Sequence, residues 1–220
     1  EAIAGLQKTE PGSSIIYFDE QMQAQQLVGK SPRKIRNFGI SLSFVPEDRL
    51  GMGLVGSMGM TGNMMLRNYS KGKSFLLRNN RKESKELAET IKEDLEVATP
   101  NLSTPVRKLS GGNVQKVLVG REIASAPSVL MTAYAVRGLD INTSYTIYDL
   151  LNRQKKKGVA VIFVGEDLDV LLALADRILI LCGGKVNGIV DGRTATKEEV
   201  GMLMTNLKET LAGEGEEAHD

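Results

Sequence analysis

The run VAVIFV, Val159 to Val164, constrains the fold of this chain more than any other stretch. An uninterrupted apolar, mostly β-branched segment ended by glycine suits a strand buried on both faces, as in a parallel sheet covered by helices. Its neighbours continue the pattern. SVLMTAY, upstream, is a second buried-strand candidate, and SYTIYDLLNRQKKKG between the two reads as a helix. Basic residues fill the last turn of that helix and Gly158 lies just past it, the usual chemistry of a C-terminus. Downstream, DLDVLLALAD reads as a short helix, RILIL as another strand and GGKVNGIV as a hairpin. VQKVLVGREIASA is helical, with Val114, Val117 and Leu118 on one face. Alternating strands and helices predict an α/β core built on a mainly parallel sheet.

The N-terminal half is less regular. EAIAGL reads as the last turns of a helix stopped by Gly5, Pro11-Gly12 as a turn and Ser14 to Phe18 as a short strand. Ser31 is placed as the N-cap of a short helix, with Pro32 at its first position and Gly39 as its stop. Ile40 to Val45 forms a strand closed by Pro46. Five of the nine methionines, with five glycines, then fall between residues 49 and 66. A charged stretch follows in which Ser84 to Leu95 is a helix candidate. This middle block is expected to be a helical insertion in a larger α/β domain. Lys197 to Leu211 closes the fold as a helix, and the acidic segment 212–220 is expected to be disordered.

Charge and special residues exclude several functions. With 28 basic and 27 acidic side chains, net +1, a main role in neutralising nucleic-acid phosphates is not expected. A single cysteine, Cys182, fits a reducing compartment, and no apolar run is long enough to cross a bilayer. The one histidine, His219, lies in the acidic tail, so neither a histidine base nor a histidine-bearing metal site is expected.

Against that background LSGGN, Leu109 to Asn113, stands out. Glycines let a backbone approach a phosphate closely, and the start of the following helix supplies unpaired N–H donors and the positive end of the dipole. Ser110 adds a hydroxyl. LSGGN resembles the signature motif of ATP-binding-cassette (ABC) ATPases, and other stretches resemble that family at matching spacings. SFVPEDRLGMGLV is similar to the Q-loop segment of sugar-type cassettes, VRGLD to the D-loop region after the Walker B strand, and VIFVGEDLDVLLALADRILIL to the switch region. Together they resemble the second cassette of importers for simple sugars, nucleosides or related solutes, in which one polypeptide carries two cassettes. The resemblance implies a RecA-like P-loop NTPase core over residues 1–48 and 110–211, with a helical subdomain over 49–109. It implies ATP and Mg²⁺ as ligands. It also implies a second nucleotide-binding domain upstream, transmembrane permease subunits and, indirectly, an extracytoplasmic solute-binding protein as partners. The location implied is cytoplasmic, peripheral on the inner face of the membrane.

Several positions depart from the family pattern. The phosphate loop GxxxxGK[ST] is absent, as if the chain began just after it, and this chain alone is expected to hold ATP poorly. The Walker B Asp and Glu positions fall on Ala133 and Tyr134: alanine has no ligand atom, and a phenol is a poor base near neutral pH. The switch histidine position is Glu166 and the Q-loop glutamine position is Glu47; a bare carboxylate beside a triphosphate repels it. No intact catalytic set and no metal site of its own are therefore expected. In this family two cassettes pair head to tail, each nucleotide lying between one phosphate loop and the other domain's signature. The resemblance thus implies that Ser110, Gly111, Gly112 and Asn113 contact a nucleotide in trans, and that Asp140 reaches the partner as the D-loop residue. Asp140 is equally readable as a carboxylate at a helix start. Met52, Met58, Met60, Met64 and Met65 read as gap-filling core, or as a deformable surface for a membrane subunit. The rival reading of the whole chain is a degenerate, non-catalytic cassette that dimerises or regulates.

Overall fold

The computed structural model describes residues 1–19, 21–38, 42–68 and 77–205. The second half of the expected closing helix, the tail 212–220 and His219 lie outside the described residues. The chain divides into two compact units, residues 1–164 and 165–220.

The first unit opens with hydrogen-bonded turns over residues 1–6 and a two-stranded antiparallel ribbon, β1 (Ile16–Phe18) with β2 (Ala24–Gln26). β2 is the polar stretch AQQ, which carries no strand signal of its own; its pairing with β1 defines it. Helix α1 (Pro32–Asn37) starts as expected, Ser31 Oγ accepting from the N–H of Lys34 at 3.4 Å. The core is a three-stranded parallel sheet in which β4 (Val129–Ala133) lies between β3 (Leu42–Val45) and β5 (Ala160–Val164). Leu42 registers with Val129 and Val129 with Ala160. β5 was expected to be buried on both faces. It is the outer strand of these three, and its burial alternates: Ile162 and Val164, 40% and 46% exposed, share a face that opens onto a cavity.

Between β3 and β4 the chain forms a π-helical turn (Arg49–Gly53), helix α2 (Met60–Asn68) and helix α3 (Leu77–Asp94). Asp48 caps the π-turn, accepting from the N–H of Gly51 at 2.8 Å, so close that a Cβ at residue 51 would overlap the carboxylate. α3 begins earlier than Ser84. Its first turns have no apolar period; along the solvated face Lys82–Glu86 and Lys85–Glu89 supply i,i+4 pairs. A 3₁₀ turn (Val106–Lys108) leads into α4 (Gly111–Ala124), and α5 (Ile141–Lys156) joins β4 to β5. The methionines divide: Met60 and Met64 are wholly buried, whereas Met52 and Met58 are exposed.

Val45, Met60, Met64, Val117, Leu118, Leu130 and Ile147 belong to one continuous core that joins sheet and helical block. α4 is its centre. Buried Arg121 bonds Glu122 Oε1 through Nε at 3.0 Å and through Nη2 at 2.8 Å, and reaches the carbonyl of Gly53 at 2.7 Å. The α4 helix and the π-turn are thus locked together under cover.

The second unit consists of α6 (Leu168–Leu174), the hairpin β6 (Arg177–Cys182) and β7 (Lys185–Asp191), and α7 (Lys197–Met204). The expected RILIL strand is the first arm of the hairpin, which turns at Gly183-Gly184. Ile178, Ile180, Val200 and Leu203 form its own small core.

Candidate functional site

The PEDR and RGLD segments leave the carboxyl ends of β3 and β4, where open α/β sheets place their ligands, and LSGGN opens α4 beside them. At the first turn of α4, Ser110 is the N-cap: its Oγ accepts from the backbone N–H of Asn113 at 3.4 Å and from Asn113 Nδ2 at 2.8 Å. Asn113 Oδ1 accepts in turn from the N–H of Ala98 at 2.8 Å. The N–H groups of Gly111 and Gly112 have no carbonyl behind them in the helix, so this turn offers free donors and a serine hydroxyl. Asn113 is itself spent on holding the turn.

Gly112 has a second reason to be glycine. A Cβ there would lie 3.0 Å from Thr143 Oγ1, 3.2 Å from Thr143 Cγ2 and 3.5 Å from Asp140 Oδ2. The starts of α4 and α5 therefore touch, and a side chain at residue 112 would force Thr143 to give way. Asp140 caps α5, its carboxylate accepting from the Thr143 N–H at 2.9 Å and from Thr143 Oγ1 at 2.7 Å. Those bonds, the backbone one first, hold its carboxyl below the usual aspartate range. Of the two readings of Asp140, the helix-cap geometry is present within this chain; a reach toward a partner remains a proposal.

A pair of arginines ties these loops together. Arg137 donates Nη1 to Glu47 Oε1 at 2.6 Å, and its guanidinium lies 5.8 Å from the centre of the Tyr134 ring. Arg49 donates Nη2 to the carbonyl of Arg137 at 2.5 Å. Arg49 Nη1 stands 3.4 Å from the point where a Cβ of Gly111 would be. Burial pushes the Arg49 guanidinium below the ordinary arginine value, and the charge of Glu47 partly offsets that. Glu47 is thus paired with a cation instead of facing a phosphate bare. PEDR and VRGLD are both legible as motifs, but no periodicity announces that their arginines cross between two loops some ninety residues apart.

The other face of these loops is different. A cavity of about 730 Å³ in the first unit is bounded by Glu1 and Ile3, by Phe44, Pro46, Glu47, Asp48 and Met52, by Met131 to Tyr134, and by Ile162 and Val164. Ala133 and Tyr134 are brought together there. Tyr134 adopts φ 51°, a conformation side chains disfavour, with its N–H bonded to the carbonyl of Val164 at 2.9 Å. The lining is apolar apart from carboxylates, a threonine and a phenol, and contains no lysine, arginine or histidine. By contrast, the first turn of α4 presents backbone N–H donors of the kind a phosphate oxygen accepts. No cluster of three potential metal ligands occurs among the described residues. Glu166 belongs to the second unit, between β5 and α6, and is exposed.

No protein-family model matches the chain. Curated proteins do. Over 202 residues, 91% of this chain, it is 32% identical to the galactose/methyl galactoside import ATP-binding protein MglA of Clostridium tetani, covering 38% of that protein. It is 33% identical over 97% of its length to the guanosine import ATP-binding protein NupO of Bacillus subtilis, covering 40%. It is 30% identical over 96% of its length to the ribose import ATP-binding protein RbsA 1 of Rubrobacter xylanophilus, covering 41%. The chain spans about two fifths of the length of these relatives. Among solved structures, the dimeric post-hydrolysis state of the ATP-binding cassette MJ0796 bound to ADP and Pi superposes with a TM-score of 0.68 at 20% identity, over 88% of this chain and 78% of that one. A nucleotide-free cassette of an ABC transporter superposes with a TM-score of 0.63 at 18% identity, over 94% and 78%. Fold and sequence agree: the chain belongs to the ATP-binding-cassette ATPases, with the ATP-binding proteins of sugar and nucleoside importers as its sequence relatives.

Proposed function

We propose that this chain is part of the ATP-hydrolysing subunit of an importer for a sugar-like or nucleoside-like solute. Its signature, Ser110 to Asn113, completes a nucleotide site on a second cassette, while its own site hydrolyses little. The observation that carries this reading is the contrast within one unit. The α4 start is capped and donor-rich, whereas the positions aligned with the metal-binding and water-activating residues of the family are Ala133 and Tyr134. ATP and Mg²⁺ would lie between two cassettes, the second carried upstream in the same polypeptide. Asp140 would lie at the boundary between them. Residues 1–48 and 110–211 would form the core of the cassette and 49–109 the subdomain that meets the permease. A solute-binding protein outside the membrane would deliver the cargo. The location would be the cytoplasmic face of the membrane; no described helix is long and apolar enough to cross it.

The test is ATP turnover by the full-length polypeptide assembled with its membrane subunits. Gly112→Asp drives a side chain against Thr143 and sets a second carboxylate beside Asp140, displacing the donor turn that a phosphate should approach. It is expected to lower kcat about 100-fold, the scale on which a preorganised oxyanion donor matters. Tyr134→Phe is expected to leave kcat unchanged. Unaltered turnover in Gly112→Asp would sink the trans-signature reading and favour a non-catalytic, dimerising cassette, which Ala133 and Tyr134 also fit.

A further inference from the structure

We infer that Arg49 and Arg137 form a crossed clasp that positions the signature turn, and that Arg49 is the positioning residue for it; this rests on the trans-signature reading. The two arginines run in opposite directions. Arg49, after β3, reaches across to the backbone of Arg137 after β4, and Arg137 reaches back to the carboxylate of Glu47. Either bond alone would leave one loop free to slide along the other. Together they fix both the separation and the register of the two strand exits. The same Arg49 guanidinium stands against Gly111 through Nη1, and Gly112 packs on Thr143, whose hydroxyl and N–H are held by Asp140. The free N–H groups of the α4 first turn are therefore braced from two sides. One brace comes from the segment after β3, the other from the cap of α5.

The chemistry explains why arginine is needed. A planar fork can donate to a carbonyl with one nitrogen while its second edge packs on a glycine backbone; a lysine ammonium at the end of a flexible stem cannot do both. Half-burial of Arg49 with no salt-bridged carboxylate among the described residues is tolerated because the Arg137 carbonyl takes one donor and the Glu47 charge lies nearby. The clasp also links the two sides of the molecule, since Arg137 lies over Tyr134 at the edge of the cavity. Whatever moves Tyr134 or Glu47 is felt by the turn offered to the other cassette.

The experiment compares Arg49→Ala, Arg49→Lys and Glu47→Gln in the full-length polypeptide, with Gly112→Asp as reference. Two readouts are taken: amide hydrogen exchange of peptides covering 108–116 and 135–143, and kcat and KM for ATP in the assembled transporter. The expected result for Arg49→Ala is at least tenfold faster exchange in both peptides and a kcat lowered tenfold or more, with KM within twofold. Arg49→Lys should fall between it and the wild type, and Glu47→Gln should change both readouts in the same direction, by less. Exchange and kcat within twofold of the wild type in Arg49→Ala overturn the clasp. If that variant fails to fold, wild-type exchange and kcat in Glu47→Gln overturn it instead. If Gly112→Asp leaves turnover intact, the trans-signature reading has failed, and the exchange data alone then decide whether the clasp exists.

Discussion

The first turn of α4 and the ends of β4 and β5 lie in one compact unit and belong to one kind of catalytic domain, yet they are built differently. At α4, every position needed to present backbone donors is in place: a serine cap, two glycines and a helix anchored in the core. At the ends of β4 and β5, Ala133 and Tyr134 instead line an open cavity, and Tyr134 takes a left-handed backbone conformation. Parallel register from Leu42 to Ala160 is intact on either side of them. Under the proposed reading, the α4 end is geometry that the chain would lend outward, and the β4 end is where its own chemistry would be reduced.

The largest effect that tests this contrast comes from beneath the signature. Arg121 is buried and pairs with buried Glu122 while holding the Gly53 carbonyl. Arg121→Ala removes both guanidinium bonds to that carboxylate and the bond that holds the Gly53 carbonyl. Removing one partner of a buried pair costs about 3–5 kcal/mol. An unfolding free energy lowered by less than about 1 kcal/mol in denaturant titration would show that the α4 platform is not rigidly supported. Ile162→Ala, on the open side of β5, is the matching control and should cost no more than about 0.5 kcal/mol, as exposed positions do.

The same contrast governs what could be read before any coordinates. Strands such as Val129–Ala133 and Ala160–Val164, and the helices that begin at Ser110 and Asp140, follow from local signals: apolar runs, cap residues and glycine stops. The π-turn after Asp48, the β2 partner strand and the early start of α3 do not. Each is set by something outside its own segment: a carboxylate folded onto Gly51, a ribbon partner, or charge pairs along a solvated face. In the site, Ser110 and Gly112 were legible as phosphate-binding types. That Gly112 must also admit Thr143, and that Arg49 and Arg137 cross, needs the tertiary fold, because the contacting residues are 31 and 88 positions apart in sequence.

The two helix caps at the α4–α5 contact sharpen the comparison through pH. Ser110→Ala should cost about 0.5–2 kcal/mol, equally at pH 7 and pH 3, since a hydroxyl cap does not titrate. Asp140 behaves otherwise. Its folded carboxyl is held below the ordinary value near 4, mainly by the Thr143 N–H and then by the Thr143 hydroxyl. A depressed carboxyl adds stability that is fully present above the unfolded value and fades as pH falls through the folded one. Asp140→Ala should therefore lower the melting temperature at pH 7, and its difference from the wild type should shrink by pH 3. An Asp140→Ala deficit that persists unchanged in acid would mean that the cap acts through packing against Gly112, not through its charge.

The smallest effect separates stability from function in the clasp. Arg137 and Glu47 are 61% and 50% exposed at the side chain, so water and salt screen their attraction. Double-mutant measurements on such exposed pairs give about 0.2–1 kcal/mol, and Glu47→Gln should fall at or below the lower half of that span because the amide can still accept from Arg137. Raising ionic strength should erase most of the remainder. A near-silent Glu47→Gln in thermal unfolding, beside a clear change in exchange around residues 108–116, would identify the pair as a spacer between two loops. Loss of more than about 2 kcal/mol would instead place it among the buried supports, with Arg121, since exposed pairs do not reach that size. The unit would then hold one rigid platform running from α4 to the end of β4, and the distinction between its two ends would be one of side-chain chemistry alone.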